Sequence, residues 1–295
     1  MRYGLCLPNY TDLASAEAIE LAADAADRLG FADVWTTDHV LVDSSADGAD
    51  YRTTFDVLET LAWVGGKHPG LGLGTSVIVV PQRNGVVVGK QLATLDALSA
   101  GRLIAGVGVG WSEAEFANLG MAERFSVRGA YLEDTIQLWR HLWSGSQEPY
   151  EGRFHQLTDF VFGPLPAQRS ALPIWIGGRN EAALARAGRL ADGYHSSATS
   201  PEAYARRIPT IRAAAQATGR AMPTLSARIR VAFDEPAESA AARSYALRGD
   251  AQQMRAEIDR WEDLGVEHLA VSFVSASPAG FVDRTERFAD VANLG

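Results

Sequence analysis

The strongest constraint on how this chain can fold is an alternation repeated eight times, in which a short apolar run is followed by a stretch with helical spacing. Tyr3–Leu7 reads as a first strand, and Ala18, Ala22, Ala25 and Leu29 mark one face of the helix after it. Val34–Thr36 is the second strand. Leu71–Val80, rich in Val, Ile and Thr, is the third, and its helix carries Val88, Leu92, Leu95 and Leu98. Leu103–Val109 is the fourth, followed by a long helix with Leu132, Ile136, Trp139 and Trp143 on one face. Pro173–Ile176 leads to Ala183, Ala187 and Leu190, and Gly193–His195 to Tyr204, Ile208, Ile211 and Ala215. Ser226–Phe233 precedes Met254, Ile258 and Trp261; Leu269–Phe273 precedes Phe281, Phe288 and Ala292. Parallel neighbours need a crossover, usually a helix, so the pattern predicts a parallel sheet. Eight units closed on themselves make a (β/α)8 barrel, and a doubly wound open sheet is the alternative with the same letters.

Three stretches break the rhythm. Leu41–Arg52 is polar and acidic, Trp111–Arg128 stands between the fourth strand and its helix, and Ser144–Leu172 is read as holding a short hairpin. The first two follow the carboxyl ends of strands, where barrel enzymes build their sites. No linker or low-complexity segment divides the chain, so residues 1–295 read as one domain. Apolar residues make up 47% of the 295, enough for one large core. The formal charge of −9 and the lack of any basic run exclude a nucleic-acid binder. The single cysteine, Cys6, excludes an internal disulfide and a cysteine-based zinc site. With no apolar signal segment and no membrane-length run, a cytoplasmic protein is expected.

Several motifs could carry chemistry. Asp38 and His39 directly follow the second strand, where a polar pair points to the barrel mouth. His39 could bond to a cofactor ring or move a proton near neutral pH, or it could merely cap the strand. Gly72 and Gly74 suggest close approach of a ligand or of another backbone. Gly106, Gly108 and Gly110 leave one face of the fourth strand bare, either for a flat ring or for tight packing. Their G-x-G-x-G spacing is not the dinucleotide fingerprint. Gly177 and Gly178 end the fifth strand just before a helix, an arrangement suited to phosphate, with Arg179 adding a cation. Asn180 could equally be a plain helix cap. Tyr10, Trp111, Phe116 and Phe125 could line an apolar pocket or pack a lid. The six histidines show no His-x-x-x-His pair, so no metal site is expected, and there is no G-x-S-x-G elbow.

Taken in order, GLCLPNY, GFADVWTTDHV, GTSVIVVP, QLATLDALSAGRLIAGVGVGW and PIWIGGRNEAALARAGRLADGYH resemble the luciferase-like monooxygenase superfamily. The resemblance runs from Met1 to about Ser197 and is weaker beyond. It is greatest to the actinobacterial F420-dependent oxidoreductases. It implies a TIM barrel of the bacterial-luciferase type with insertion segments, binding coenzyme F420, or alternatively FMN, at its carboxyl face. It implies that Asp38 and His39 face the cofactor ring, that Ser76–Val77 is a non-prolyl cis peptide backing that ring, and that Gly177–Gly178 is the phosphate-binding turn. It also implies a homodimer. One departure stands out: Trp111 occupies the place of a catalytic Glu in the sugar-phosphate dehydrogenase branch, which points away from glucose-6-phosphate.

The reading that follows is an oxidoreductase passing hydride between F420 and a small organic substrate. His39 is expected as the catalytic group. Asp38, His39, Ser76, Val77, Gly108, Gly177, Gly178 and Arg179 are expected at the cofactor, and Tyr10 and Trp111 in the substrate pocket. The alternatives are an FMN-dependent monooxygenase and a cofactor-free binding relative. A Schiff-base aldolase is disfavoured because Lys67 and Lys90, the only lysines, read as lying in or beside helices.

Overall fold

In a computed structural model describing residues 1–45, 48–233 and 245–294, eight parallel strands close on themselves. They are β1 (Arg2–Cys6), β2 (Asp33–Thr36), β3 (Gly72–Thr75), β4 (Leu103–Gly108), β5 (Ile174–Gly177), β6 (Gly193–Ser197), β7 (Thr224–Ala232) and β8 (His268–Phe273). β8 pairs with β1, Arg2 opposite His268, and β6 with β7, Ser226 opposite His195, so the ring of eight closes and the open-sheet alternative falls. The helices are α1 (Ala16–Arg28), α2 (Val57–Lys67), α3 (Gly85–Leu98), α4 (Glu113–Asn118), α5 (Ala122–Trp143), α6 (Glu181–Leu190), α7 (Pro201–Ala205), α8 (Ile208–Ala217), α9 (Ala251–Asp263) and α10 (Pro278–Ala292).

Helical spacing decides which faces are buried. Leu132, Ile136, Trp139 and Trp143 of α5 are all in the core. The two indoles also find hydrogen-bond acceptors: Trp139 Nε1 donates to Gly85 O at 2.7 Å and Trp143 Nε1 to Gly89 O at 3.0 Å. Glycine at 89 is what lets α3 lie this close, since a Cβ there would sit 2.6 Å from Trp139 Cδ1.

Some expectations need correction. Leu98, read as a core position of α3, is 80% exposed at the helix end. Tyr204 is buried but sits on α7, on a separate helix from Ile208, Ile211 and Ala215 of α8. Much of the break at Trp111–Arg128 is helical, as α4 and the first turns of α5. The sequence reading passes over α2. Its Gly65–Gly66 pair has poor helix propensity, yet Gly65 is needed where Leu73 of β3 packs, 2.7 Å from the place of a Cβ. The hairpin in Ser144–Leu172 is present, Tyr150–Glu151 antiparallel to Gln156–Leu157.

Two of the family-like pieces turn out to brace the amino-terminal end of the barrel. Asp96 accepts from Gln168 N at 2.9 Å and Gln168 Nε2 at 2.8 Å, while Arg102 donates to the carbonyls of Gly65, His68, Leu71 and Ser99. Asp192 accepts from Ile174 N at 2.9 Å and pairs with Arg140 and Arg220.

The barrel interior is unusual in content. Layers of branched aliphatic side chains are the common filling. Here Trp35 stacks on His195 at 4.7 Å and on Trp175 at 5.4 Å, with His268 5.2 Å from Trp35. Gly74 and Gly193 make this possible, because the Trp35 and Trp175 rings occupy the space their Cβ atoms would need. The small residues of β3 therefore answer to packing between neighbouring strands rather than to a ligand.

Candidate active site

A cavity of about 290 Å³ opens at the carboxyl ends of the strands. Its wall collects Asp38, His39, Ser76, Val77, Gly108, Trp111, Gly177, Gly178 and Arg179 from four separate stretches of sequence. Of the expected site residues only Tyr10 is not on the wall; it stands behind, its ring stacked 5.5 Å from Tyr51 and its hydroxyl 2.7 Å from Arg228 Nη2.

After Thr75 the third strand is interrupted. The Ser76–Val77 peptide is cis, and pairing resumes at Ile78–Val79, beside Val107 and Gly108 of β4. Val77 fits between two glycines: a Cβ at Gly108 would lie 2.6 Å from Val77 Cγ2 and one at Gly177 3.2 Å from Val77 Cγ1. The result is a slot with bare backbone on either side of one apolar side chain.

Asp38 serves this bulge. Its carboxylate accepts from Val79 N at 2.9 Å and from Arg83 Nη2 at 2.6 Å, and Arg83 also reaches Asp56 at 3.3 Å. Burial alone would lower the Arg83 pKa, but the two carboxylates, Asp38 foremost, raise it above its ordinary value. Asp38 is thus engaged with the chain itself, while its neighbour His39 faces the opening.

Sequence reading missed the group that governs His39. Glu115, on α4, is 1% exposed and lies with Oε2 3.0 Å from His39 Nδ1. The same carboxylate accepts from Gln82 Nε2 at 3.0 Å and from Val40 N at 2.7 Å. Burial pushes the Glu115 pKa upward, and the bonds from His39, Gln82 and Val40 outweigh it, leaving the carboxyl below its ordinary value. An ionised Glu115 holds the His39 proton on Nδ1 and leaves Nε2 as an acceptor. The imidazole is packed 4.0 Å from the Tyr51 ring and 5.8 Å from Trp111. The only sequence hint was position: Glu115 lies in the insertion that follows β4.

Arg228 of β7 is the second missed residue. It is on the cavity wall, and its guanidinium donates to Thr37 Oγ1 at 2.8 Å, Ser76 O at 3.1 Å and Tyr10 Oη at 2.7 Å, all neutral acceptors. No carboxylate pairs with it among the described residues. Burial acts to lower its pKa, but Tyr10, Cys6 and Tyr51 raise it above the ordinary value, so the cation persists. A partly buried charge with no carboxylate beside it among the described residues is costly, and an electron-rich group in the cavity would complete it.

At the rim, Gly178 has φ 130°, and Gly178 and Arg179 are exposed. Asn180 does cap α6, accepting from Ala183 N at 2.9 Å. The cap satisfies one N–H of the first turn and leaves the glycine turn and Arg179 open to solvent at the cavity edge. Among the described residues no group of His, Cys, Asp and Glu could hold a metal ion, and no helix is long and apolar enough to cross a membrane.

A profile of the luciferase-like monooxygenase family matches residues 1–268. The F420-dependent glucose-6-phosphate dehydrogenase of Nakamurella multipartita is 32% identical over 76% of this chain and 66% of its own length. That of Kineococcus radiotolerans is 30% identical over 72% of this chain and 64% of its own length. The chain thus spans somewhat under two thirds of the length of these curated relatives. Among solved structures, an F420-dependent secondary alcohol dehydrogenase superposes with a TM-score of 0.82 at 18% identity, covering 98% of this chain and 97% of that one.

Proposed function

The chain belongs to the luciferase-like monooxygenase family, and from that membership and the geometry of the cavity we propose that it is an F420-dependent oxidoreductase acting on a small organic substrate. The observation that carries the proposal is the slot at Val77, flanked by Gly108 and Gly177, with the Arg228 guanidinium, bonded only to neutral acceptors among the described residues, at one side and an exposed glycine turn at the rim. These residues fit a flat ring with an anionic tail: bare backbone admits the ring, and N–H groups at a helix start with Arg179 suit phosphate. The relatives named for F420 favour the deazaflavin over FMN.

When bound, F420 would supply a ring carbon that accepts or donates hydride. The chain supplies the rest. Gly177, Gly178 and Arg179 hold the tail. Ser76, Val77 and Gly108 support the ring, and Asp38 fixes their bulge through Val79 and Arg83. Arg228 offsets negative charge on the bound ring or on a substrate oxygen. His39, held by Glu115, presents Nε2 to take a proton from a substrate hydroxyl, or returns it to a carbonyl oxygen. Tyr51 and Trp111 keep the imidazole dry on its open side. The substrate named for the relatives is not carried over: Trp111, in the place of an acid in that branch, favours a more apolar molecule. We also take residues 1–295 as one domain and the protein as a cytoplasmic homodimer, the latter to be checked by sedimentation equilibrium.

Fluorescence titration of the purified protein with F420 and with FMN decides the cofactor. F420 should bind and FMN should not. Tight FMN binding without F420 binding would establish the second reading, a monooxygenase, favoured by similarity to a Pseudomonas putida FMNH(2)-dependent dimethylsulfone monooxygenase, 32% identical over 45% of this chain and 37% of its own length. His39→Ala should cut turnover by about 10²–10⁴-fold, the usual worth of a general acid–base, with little change in the unfolding midpoint. Unchanged turnover would remove His39 from the chemistry.

A further inference from the structure

Behind the cavity wall a single file of hydrogen-bonding side chains crosses the barrel interior. Ser76 Oγ, on the wall, lies 2.9 Å from His195 Nε2. His195 Nδ1 lies 2.9 Å from Ser226 Oγ, and Ser226 Oγ lies 2.9 Å from His268 Nδ1. His268 Nε2 lies 2.8 Å from Asp33 Oδ1. His195, Ser226 and His268 are direct register partners on β6, β7 and β8, so the sheet itself sets their spacing. Ser226 and His268 are fully buried, and no member exceeds 8% exposure. Asp33 lies on the wall of a second cavity of about 420 Å³, at the amino-terminal end of the barrel. The file therefore connects openings at opposite ends of the molecule.

Each inner member can both donate and accept. With Asp33 ionised, every bond points one way. The Ser76 hydroxyl donates to His195 Nε2 and His195 Nδ1–H to Ser226. The Ser226 hydroxyl donates to His268 Nδ1 and His268 Nε2–H to Asp33. Trp35 Nε1 donates to the same Asp33 oxygen while its ring lies flat on His195 at 4.7 Å, so one residue holds both parts of the file. Burial, with His268 and Arg228 adding to it, holds His195 well below its ordinary pKa, which keeps its imidazole neutral.

We propose that Ser76, His195, Ser226, His268 and Asp33 form a relay that exchanges one proton between the candidate site and the opening at the amino-terminal end. Ser76 Oγ accepts a proton from the cavity and passes its own to His195 Nε2. The Nδ1 proton of His195 moves to Ser226, whose own proton moves to His268 Nδ1. The Nε2 proton of His268 moves to Asp33, which releases it to the second cavity. Every intermediate residue gains one bond to hydrogen and loses one, each imidazole taking its proton on one nitrogen and giving it up from the other, and no electrons are transferred. The reverse run delivers a proton. Only the use of the relay rests on the proposed function, since hydride leaving an alcohol is accompanied by a proton; its existence does not.

The charged and titratable groups facing the file are Arg228 and Cys6 along its flank and Arg2, Arg102 and Asp192 around the lower opening. Nitrogen-15 NMR of the full chain, labelled at histidine and free of cofactor, tests the relay whatever the cofactor proves to be. Near neutral pH, His195 should carry its proton on Nδ1 and His268 on Nε2. On acidification both rings should exchange tautomers at one common midpoint. Ser226→Ala should abolish the joint exchange, with near-ultraviolet circular dichroism confirming the fold. Asp33→Asn, which cannot ionise, should hold one tautomer pair throughout. The relay is overturned by separate midpoints in the wild type, by imidazolium in place of tautomer exchange, or by joint exchange surviving in either variant. It is equally overturned if no exchange occurs before the circular dichroism signal is lost.

Discussion

Glu115 and Arg228 do opposite electrostatic work at the same cavity. Glu115 is a buried anion saturated with donors, and its effect is to fix the orientation and tautomer of His39. Arg228 is a partly buried cation whose acceptors are all neutral, and its effect is directed at whatever enters. Glu115→Gln keeps the shape but offers His39 an amide in place of a carboxylate. Turnover should fall more than KM rises, measured by steady-state kinetics once a substrate is found. Glu115→Ala also strands the Val40 and Gln82 donors and should cost about 1–3 kcal/mol in urea unfolding. Arg228→Gln removes a charge-assisted contact worth about 1.5–3 kcal/mol, so cofactor or substrate affinity should drop roughly 10–100-fold by titration. An unchanged dissociation constant would mean that the guanidinium serves only Tyr10, Thr37 and Ser76.

Among the elements, the interrupted third strand has the most consequence. Between Gly74 and Ile78 the pairing with β4 lapses, and Asp38 secures the far side through Val79 N. Gly108 on β4 is the complementary surface, since a Cβ there would meet Val77 Cγ2 at 2.6 Å. Gly108→Ala should therefore overpack the slot at a cost of about 1–3 kcal/mol. Cofactor binding should suffer more than the melting temperature, because the relief available is movement of Val77. The start of α6 is a separate element with a separate outcome. Asn180→Ala removes the bond to Ala183 N and should cost about 1 kcal/mol of stability, leaving the glycine turn and Arg179 in place.

For the molecule as a whole, the interior file of polar groups makes stability depend on pH. His195 has a folded pKa well below its ordinary value of 6.5, so the unfolded chain binds the proton more readily. Its contribution is complete above 6.5 and declines as the pH falls below it. Glu115 behaves in the same direction at lower pH: its depressed pKa adds stability that is complete above its ordinary 4.5 and is lost on further acidification. Urea midpoints should be flat above neutrality and fall in two stages toward acid. His195→Gln should flatten the upper stage alone. A profile rising toward acid would contradict the sign of both shifts.

What the residue order settled unaided was periodicity and punctuation. Eight apolar runs with helical spacing between them specify parallel crossovers, and strand ends such as Asp38–His39 and Gly177–Gly178 could be marked as mouth positions because a barrel brings all carboxyl ends to one face. The Ser76–Val77 bulge came from likeness to a family, since no local rule places it. Distances across the barrel were invisible at that level. Glu115 meets His39 from 76 positions away and Arg228 meets Thr37 from 191 away, and neither pairing has any periodic trace. His195, Ser226 and His268 read as isolated strand residues until register set them side by side. Local spacing fixes which face of an element turns inward, whereas closure of the ring decides which inward faces meet, and both the buried charges and the interior file are products of that meeting.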